Sequence, residues 1–529
     1  MESTYINSAW SLLVPVVAIG LAVITRHVLL SLGAGIIVGA LLLTNIDPLA
    51  AVVHTAEAFK GVFWEDGVPN AWVFWKEGAP NTWNIYILLF LVVLGIITSF
   101  ISMMGGSNAF AEWARQRVKS QQSSLLMTFF LGIFIFIDDY FNSLAVGNIC
   151  RPITDRQNIS RAKLAYLIDS TAAPVCVLTP ISSWGAYIIA LIGGLLVAHE
   201  VTGYTALSAF ITIVPMNFYP LFALLMVLAV IVLKLEIGPM RKHTHNAHNG
   251  QLFSVDRGTP PGSIEMQTDR QGKVIDLVLP VVVLIVATIY FMISTGAEAL
   301  ANDGKPFSIL GAFEQTDVAK SLVFGGLGGL AISLILSAFR KLSVEDYAKG
   351  LKNGLKAMLP AIYILVFAWM LTGIIGELET GKYLASLVKD VLNLAYLPLI
   401  LFIVSGIMAF ATGTSWGTFG IMLPIAGDMA GATEIAMMLP MFAAVLAGSV
   451  FGDHCSPISD TTILSSTGAS CHHIDHVVTQ LPYALITAFI AAVGFLVLGF
   501  TESTLMAFLA SAVTFIIAVG VMKVISSKQ

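Results

Sequence analysis

The sequence contains few charged residues for its length. Only 11% of its 529 residues are Asp, Glu, Lys or Arg, whereas a soluble chain of this size carries about 25%. The 27 basic and 32 acidic residues leave a slightly acidic balance, which argues against nucleic acid as a partner. The shortage of charge extends along the whole chain. A lipid bilayer, rather than water, is therefore the expected surroundings of most of it.

Cysteine is also scarce, and its positions exclude two common uses. The chain has four cysteines, in or beside apolar segments and never spaced as CxxC: Cys150, Cys176, Cys455 and Cys471. This pattern indicates neither a disulfide framework nor a zinc site. We expect the four thiols to be small packing residues. No cofactor is expected, and no metal other than a transported ion.

Long apolar runs fill most of the chain, of which 57% is hydrophobic. Runs of about 18 to 22 residues recur between Trp10 and Val524, each long enough to cross a hydrocarbon layer of about 30 Å. No basic segment precedes the first run and no small-residue cleavage site follows it, so we expect that run to span the membrane. The predicted fold is an all-α polytopic membrane protein with roughly 12 to 14 transmembrane or re-entrant helices.

The polar connections predict an orientation in the membrane. His54 to Trp83 contains four tryptophans and several acids, and we expect it to lie along the outer surface. The hydrophilic segment Arg241 to Lys273 contains three histidines, but without acidic or cysteine ligands nearby it is expected to be a cytoplasmic linker. Lysine and arginine favour cytoplasmic loops, so the N-terminus is predicted outside and the C-terminus inside a bacterial inner membrane. The basic residues that support this orientation include Arg115, Arg117, Lys119, Arg340 and Lys356.

An internal repeat relates the two halves. A shift of about 272 residues superimposes the span that begins near Asn84 on the span that begins near Ala357, and Tyr140 to Ile153 on Thr412 to Ile425. A slightly larger shift superimposes the TPIS motif (Thr179 to Ser182) on the SPIS motif (Ser456 to Ser459). The charge rule gives the matched spans opposite directions, so the repeats are predicted to have inverted topology. We expect repeats at 1–240 and 274–529, joined by a linker at 241–273. Inverted repeats with broken helices are typical of secondary transporters.

Four polar clusters interrupt the apolar runs within the matched regions. The first contains Asp138, Asp139 and Asn142, after an unbroken apolar approach. A carboxylate at the centre of a membrane helix costs at least about 2.5 to 3.5 kcal/mol, so adjacent aspartates require an explanation. One alternative is a capping pair at the membrane interface. We favour a site that exchanges a cation and a proton, because burial beside a second carboxylate lets protons compete with sodium.

The second cluster begins at Asp169 and continues to Trp184. Its prolines and hydroxyl groups predict an unwound or re-entrant helix, whose carbonyl and hydroxyl oxygens suit a small cation. For any single hydroxyl, a local bond to the helix backbone is an equal alternative. The polar residues that could line a cavity here are Thr179, Ser182 and Ser183.

The third and fourth clusters lie in the second half. The third is rich in glycine and hydroxyl groups, which allow a helix break, and its candidate residues are Thr412, Thr414, Ser415 and Trp416. The fourth matches the second cluster and lacks lysine and arginine, which favours a binding site over a polar external loop. Its candidates are Asp453, His454, Ser456, Ser459 and Asp460. We expect the following residues to form an exposed loop outside the site: His472, His473, Asp475 and His476.

These stretches resemble the NhaC-type sodium/proton antiporter family. The resemblance is carried by FIDDYFNSLAVG (Phe136 to Gly147), AYLIDSTAAPV (Ala165 to Val175), GTSWGTFGIMLPIA (Gly413 to Ala426) and GDHCSPISDTTILSS (Gly452 to Ser466). It covers nearly the whole chain. It implies a carrier that exchanges cytoplasmic sodium for external protons. Some members of the family instead exchange organic acids, coupling malate and lactate to protons and sodium, and tryptophan walls would suit such a ligand.

The sequence therefore predicts an antiporter that works by alternating access. Asp138 and Asp139 are the leading exchange groups, and Asp453 and Asp460 form a second acidic pair, with hydroxyl and amide oxygens as neutral ligands. A sodium- or proton-coupled carrier of a small organic acid or amino acid is the alternative, and a homodimer and a channel are left open. An intramembrane hydrolase is disfavoured, because neither a GxGD motif nor a GxSG motif facing a histidine is present.

Overall fold

The computed structural model describes residues 4–527 with gaps at 26, 66–78, 107–108, 111, 114–117, 119, 137, 181, 263–270, 387–393 and 433. Several residues used in the sequence predictions lie outside the described part. They are Trp72 and Trp75 of the first polar connection, Arg115, Arg117 and Lys119 of the basic loop, Ile181, and the side chain of Ser183.

Twenty-two α-helices are present in the described residues. Those of the first half are α1 (Leu13–Thr25), α2 (Val28–Leu43), α3 (Pro48–Phe63), α4 (Thr82–Met103), α5 (Gln121–Phe134), α6 (Asp139–Arg156), α7 (Arg161–Cys176), α8 (Ser183–Ala198), α9 (Ala206–Ile213), α10 (Phe218–Leu233) and α11 (Met240–His248). Those of the second half are α12 (Ile275–Asn302), α13 (Ile309–Glu314), α14 (Val318–Phe339), α15 (Val344–Glu377), α16 (Thr380–Ser386), α17 (Leu397–Thr412), α18 (Ser415–Ala432), α19 (Met438–Cys455), α20 (Asp460–Gly468), α21 (His473–Thr501) and α22 (Thr504–Ser527). A short antiparallel hairpin pairs β1 (Trp64–Glu65) with β2 (Ala79–Pro80).

Eight helical spans in the described residues are long and apolar enough to cross a membrane, and two bent helix pairs raise the number to ten. One bent pair is α2 with α3, at 120°, and the other joins α9 to α10 at 50°. The second bend lies between Pro215 and Pro220, at Asn217. Among the eight, α19 is the most buried and α22 the least, so α19 is central and α22 peripheral. The predicted all-α polytopic membrane protein is confirmed.

Helices α4 and α15 cross closely and run antiparallel. Gly95 of α4 packs against Gly354 of α15, where a side chain on either residue would meet backbone atoms. Further along α4, Phe100 contacts Tyr347, so positions rise along one helix as they fall along the other. Small residues permit this approach in membranes. The inverted relation of the two whole halves stays a prediction.

The central helices α17 and α19 also meet through glycines. Gly448 faces the backbone of Phe402, and Gly452, one turn later, faces the backbone of Gly406. This spacing of four residues brings both glycines to one face of α19. The close contact fixes the end of α19, which carries Asp453.

The two predicted polar connections contain more structure than expected. The first includes most of α3 and the β1–β2 hairpin. The second, Arg241 to Lys273, contains most of α11, and its Arg257 lies 2.6 Å from Asp475 at the start of α21. The described part of the linker is therefore packed against the helices. All four cysteines are buried and free, which agrees with a packing role.

Candidate cation and proton site

The first helix break brings buried carboxylates into the membrane region. Helix α5 ends at Phe134 and α6 begins at Asp139. A helix that ends inside the membrane leaves carbonyl oxygens without partners. Asn142 is the hydrogen-bond donor for two carbonyls here, since its Nδ2 donates to the carbonyls of Gly132 at 2.6 Å and Ile135 at 2.7 Å. The amide of Asn142 therefore holds the break open, and its Oδ1 has no hydrogen-bond partner in the described part of the chain.

Asp138 and Asp139 lie at this break and are 3% and 1% exposed. Asp139 Oδ1 accepts a hydrogen bond from Trp184 Nε1 at 2.9 Å. Asp139 Oδ2 is buried and has no hydrogen-bond partner among the described residues. The positive end of the α6 dipole favours negative charge at Asp139. The Asp139 carboxylate therefore offers one unoccupied acceptor oxygen next to a helix N-terminus.

The second break lies in the second half and carries the other acidic pair. Gly413 adopts φ of +71°, a left-handed conformation that glycine allows, between the end of α17 and the start of α18. The first residue of α18, Ser415, donates through Oγ to Asp453 Oδ2 at 2.9 Å. Asp453 is 2% exposed, and its Oδ1 is a buried acceptor with no hydrogen-bond partner in the described ranges.

Asp460, at the start of α20, connects the two acidic pairs. The hydroxyl of Tyr140 donates to its Oδ2, and the amide of Thr461 donates to its Oδ1 at 2.9 Å. The charge of Asp460 acts on both Asp139 and Asp453. The four predicted aspartates therefore form one acidic cluster, hereafter the acidic cluster, between the two halves of the chain.

Asp169, in the middle of α7, belongs to a second buried network next to this cluster. Its Oδ1 accepts from Ser465 Oγ at 3.0 Å, and its Oδ2 accepts from Gln480 Nε2 at 2.6 Å. His476 Nε2 lies 3.2 Å from the same Oδ2, and His454 Nε2 lies 3.6 Å from it. These four polar side chains all belong to the second half, so Asp169 joins α7 to α19, α20 and α21.

The prediction that the histidines after the fourth cluster form an exposed loop is wrong. His473, Asp475 and His476 lie in the first turn of α21 and are at most 5% exposed. His472 precedes them at the N-cap position and is partly buried. The polar run looked like a loop because no apolar residue pattern marks the start of α21. Burial is possible because each side chain meets a polar partner on another element.

Most of the predicted hydroxyl residues are engaged with backbone at the helix breaks. Ser182 and Ser459 are both N-caps, of α8 and α20 respectively, and both are fully buried. Ser456 donates to the carbonyl of Phe410 at 2.7 Å. Thr412 donates to a carbonyl of its own helix, and Thr179, just beyond α7, donates to the carbonyl of Val175 in α7, at 2.8 Å each. Because the hydroxyls of Ser456, Thr179 and Thr412 donate their protons to carbonyls, the lone pairs on their oxygens are available to a cation.

A cavity of about 380 Å³ opens beside the acidic cluster. It reaches Asp460 and Tyr140, and Trp416 forms one wall. Trp184 lies behind this wall, with its ring centroid 5.9 Å from that of Trp416. Thr414, predicted as a cation ligand, also lines this cavity, whereas the predicted wall residues Thr179, Ser182 and His454 are not part of its lining.

Sequence reasoning missed several residues of these networks. Tyr140 adjoins the aspartate pair, and Ser465 bridges Ser143 and Asp169, at 3.0 Å from each. His476 and Gln480 are four residues apart, which is the spacing of one helix face. That spacing was the available signal for a polar face on α21. Ser170 and Tyr219 form hydrogen bonds with His454 at 3.3 Å and 2.9 Å, and no sequence pattern marks either residue.

The aspartates of the acidic cluster differ from a buried structural aspartate in their hydrogen-bond partners. Asp276, at the start of α12, is fully buried but lies 2.8 Å from Arg340. Within the described residues, Asp139, Asp453 and Asp460 accept hydrogen bonds from neutral donors. Negative charge that protein cations do not neutralise is expensive to bury in a membrane. A bound cation or proton is what would offset it.

Comparison with known proteins identifies relatives of this chain. The profile of the "Na+/H+ antiporter family" matches residues 175–500. An uncharacterised protein of Haemophilus influenzae is 48% identical over 98% of this chain and 96% of its own length. The malate-2H(+)/Na(+)-lactate antiporter of Bacillus subtilis is 32% identical over 32% of this chain and 36% of its own.

Another relative is named as an amino-acid antiporter. The arginine/ornithine antiporter of Halobacterium salinarum is 30% identical over 30% of this chain and 33% of its own length. The family profile covers more than half of the chain, and the resemblance carried by the sequence motifs is thereby confirmed. The chain is a membrane transporter rather than an enzyme, and it belongs to the Na+/H+ antiporter family.

Proposed function

We propose that the protein exchanges cytoplasmic Na+ for external H+ by alternating access at the acidic cluster. The observation that carries the proposal is a pair of buried acceptor oxygens, Asp139 Oδ2 and Asp453 Oδ1, without hydrogen-bond partners in the described chain. An oxygen of this kind accepts either a small hard cation or a proton. The free Oδ1 of Asn142 adds a neutral ligand of the type that Na+ accepts.

Competition between Na+ and H+ for the acidic cluster would couple the movements of the two ions. Four carboxylates in a low-dielectric region repel one another, so the ionised cluster is unstable until a cation or a proton binds. Binding of Na+ lowers the affinity for H+, and by thermodynamic reciprocity H+ lowers the affinity for Na+ to the same extent. Because the carboxylates interact, their titration belongs to the cluster rather than to one residue.

The proposed setting is a bacterial inner membrane with the N-terminus outside and the C-terminus inside. The support is a pair of basic residues near the end of α22, Lys523 and Arg241. Lys523 Nζ donates to the carbonyl of Leu233, and Arg241 Nη2 donates to the carbonyl of Ile525. Basic residues favour the cytoplasmic side. A homodimer stays a prediction.

Replacement of either half-paired carboxylate, Asp139 or Asp453, tests the proposal. In liposomes with a trapped pH dye, Asp139→Asn and Asp453→Asn should each reduce Na+-driven H+ movement by at least about 100-fold, because the amide cannot exchange a proton. Asp303→Asn, at an exposed site on the Lys305 ion pair, is the matched control and should exchange normally. Size-exclusion profiles should show all variants folded. Normal exchange by both cluster variants from about pH 6 to 9 would make the cluster structural.

A second candidate function is coupled exchange of a small organic solute with Na+ or H+. The cavity beside Asp460 favours it, since about 380 Å³ falls within the range of small-molecule sites and exceeds the need of a bare ion. The names of the Bacillus and Halobacterium relatives point in the same direction. Transport of malate, lactate, ornithine and arginine in the same liposomes separates this candidate from simple Na+/H+ exchange.

A further inference from the structure

The cavity beside the acidic cluster has an aromatic lining. Tryptophans from three different helices contribute to it, namely Trp83 of α4, Trp369 of α15 and Trp416 of α18, together with Tyr140 of α6. Aromatic faces attract cations through the ring quadrupole, most strongly when the ring is tryptophan. A vestibule that only conducts hydrated ions needs no such lining.

The wall formed by Trp416 is held in place by other rings. Its centroid lies 4.7 Å from that of Tyr187 and 5.9 Å from that of Trp184. Trp83 packs against it from the other side, with the rings at 63° and the centroids 6.4 Å apart. Rings fixed by packing lose little freedom when a ligand binds, so they suit a preformed site.

The charge of the lining has one sign. Asp460 contributes a carboxylate to the cavity, and none of the described residues that line it is Lys, Arg or His. An organic anion would face this carboxylate without a cationic partner, and the repulsion between like charges disfavours its binding. The Asp460 oxygens each accept one bond in the structure, from Tyr140 and Thr461. A carboxylate has about four acceptor positions, so it can bind an ammonium group as well.

A neighbouring cavity extends this acidic character toward the end of α15. It measures about 520 Å³ and shares Asn84, Trp369 and Thr372 with the first. Its lining adds two carboxylates, Glu57 and Glu377, and one histidine, His54, which lies 3.7 Å from the first and 3.0 Å from the second, so the acids outnumber the base. Negative charge along such a path concentrates cations at its inner end.

We infer that the cavity beside Asp460 binds a small organic cation with an ammonium group, between the faces of Trp369 and Trp416 and against the Asp460 carboxylate. The inference rests on the proposed function, in which the same carboxylate belongs to the exchanging cluster. It specifies the substrate class: an ammonium compound takes the place of Na+ in exchange for H+, and organic acids are excluded.

Direct binding tests this inference independently of transport. The purified full-length protein is titrated calorimetrically with 1,4-diaminobutane, tetramethylammonium and malate, at constant Na+ and pH. The two ammonium probes should bind and malate should not. Trp369→Leu should weaken ammonium binding by about 3- to 30-fold, the range of a cation–π contact. The matched control is Trp10→Leu, a tryptophan 60% exposed and outside the cavity, which should bind normally.

The variants also separate this inference from the proposed function. Trp10→Leu should retain Na+-driven H+ movement in liposomes, whereas Asp460→Asn should lose both ammonium binding and exchange. Binding of malate in preference to both ammonium probes would overturn the inference. So would the absence of ammonium binding in a protein with normal Na+/H+ exchange, or equal binding by wild type and Trp369→Leu. Ammonium binding without any Na+-driven H+ movement would instead reject the proposed Na+/H+ exchange.

Discussion

At the scale of single residues, two kinds of buried aspartate occur in this protein. Both oxygens of Asp276 are engaged, one by Arg340 and one by Arg340 and the amide of Lys273. Asp139 has one neutral donor, Trp184, and one free oxygen. A fully paired carboxylate gains little from a further ligand, whereas a half-paired one gains a great deal. This difference supports the proposed exchange role of Asp139 and a structural role for Asp276.

The indole of Trp184 should set the pH range of exchange. Trp184→Phe keeps a ring against Trp416 and Phe419 but removes the donor to Asp139. The ionised carboxylate loses a bond worth about 1.5 to 3 kcal/mol, so a proton is held more strongly and a higher pH is needed to release it. The midpoint of Na+-driven H+ movement should rise by about one to two pH units.

A surface tryptophan provides the control for this prediction. Trp10→Phe, at an exposed position, should leave the pH midpoint unchanged. If the Trp184→Phe midpoint stays at the wild-type value or falls, the bond to Asp139 does not govern proton affinity.

The sequence predicted the charged residues of the site better than its neutral ones. Asp138, Asp139, Asp453 and Asp460 stand out, since a carboxylate in an apolar run requires a reason. Gln480 and Tyr219 could not be recognised, because amides and phenols are common in membrane helices and only the fold brings them to Asp169 and His454. His476 was misassigned, since a polar run before an apolar one looks the same in a loop and in a buried helix start.

At the scale of helices, the breaks and the glycine contacts hold the site together. The TPIS and SPIS motifs predicted two helix breaks, and in both the final serine caps the following helix. A serine N-cap typically contributes about 1 kcal/mol, and more is at stake where no water can replace it. The breaks could be predicted because proline and glycine act locally. The contact of Asp460 with Tyr140 could not, since it depends on the packing of distant helices.

The contact between α17 and α19 should be sensitive to side-chain size at Gly448. A leucine there would collide with the backbone of Phe402 and displace the end of α19 that carries Asp453. We expect Gly448→Leu to lower the melting temperature by several degrees, as overpacking of about 1 to 3 kcal/mol does, and to reduce exchange at least tenfold. Fluorescence-detected thermal unfolding and the liposome assay measure the two effects.

Gly520 in α22 supplies the matched control for this substitution. A side chain at this position would meet no atom of the described chain within 4 Å. Gly520→Leu should therefore leave both stability and exchange close to those of the wild type. Equal behaviour of Gly448→Leu and Gly520→Leu would show that the α17–α19 contact is not needed to position Asp453.

At the scale of the whole molecule, the site forms where the two halves meet. Tyr140 of the first half donates to Asp460 of the second, and Asp169 accepts from Ser465 and Gln480. Relative movement of the halves would therefore rearrange the polar partners of both networks. Alternating access needs such a coupling between the conformation and the binding groups.

The predicted inverted symmetry of the two halves belongs to this scale and stays a prediction. Helices α4 and α15, which the sequence shift matches, run antiparallel, and their glycines meet. The offset alone could predict matched elements, because polar breaks recur in order along the chain. The relation between the two whole repeats stays a prediction, since it depends on how all the matched helices are arranged rather than on one pair.

The most direct test of the account is a count of protons released when Na+ binds. Purified protein in weakly buffered detergent solution is mixed with NaCl, or with KCl at equal ionic strength as control, while a pH indicator is followed. Competition at the acidic cluster predicts a release of protons with NaCl that Asp139→Asn and Asp453→Asn reduce. It also predicts an apparent Na+ dissociation constant that rises up to about tenfold for each unit of falling pH. Sodium binding without proton release, at an affinity independent of pH, would contradict exchange at shared carboxylates.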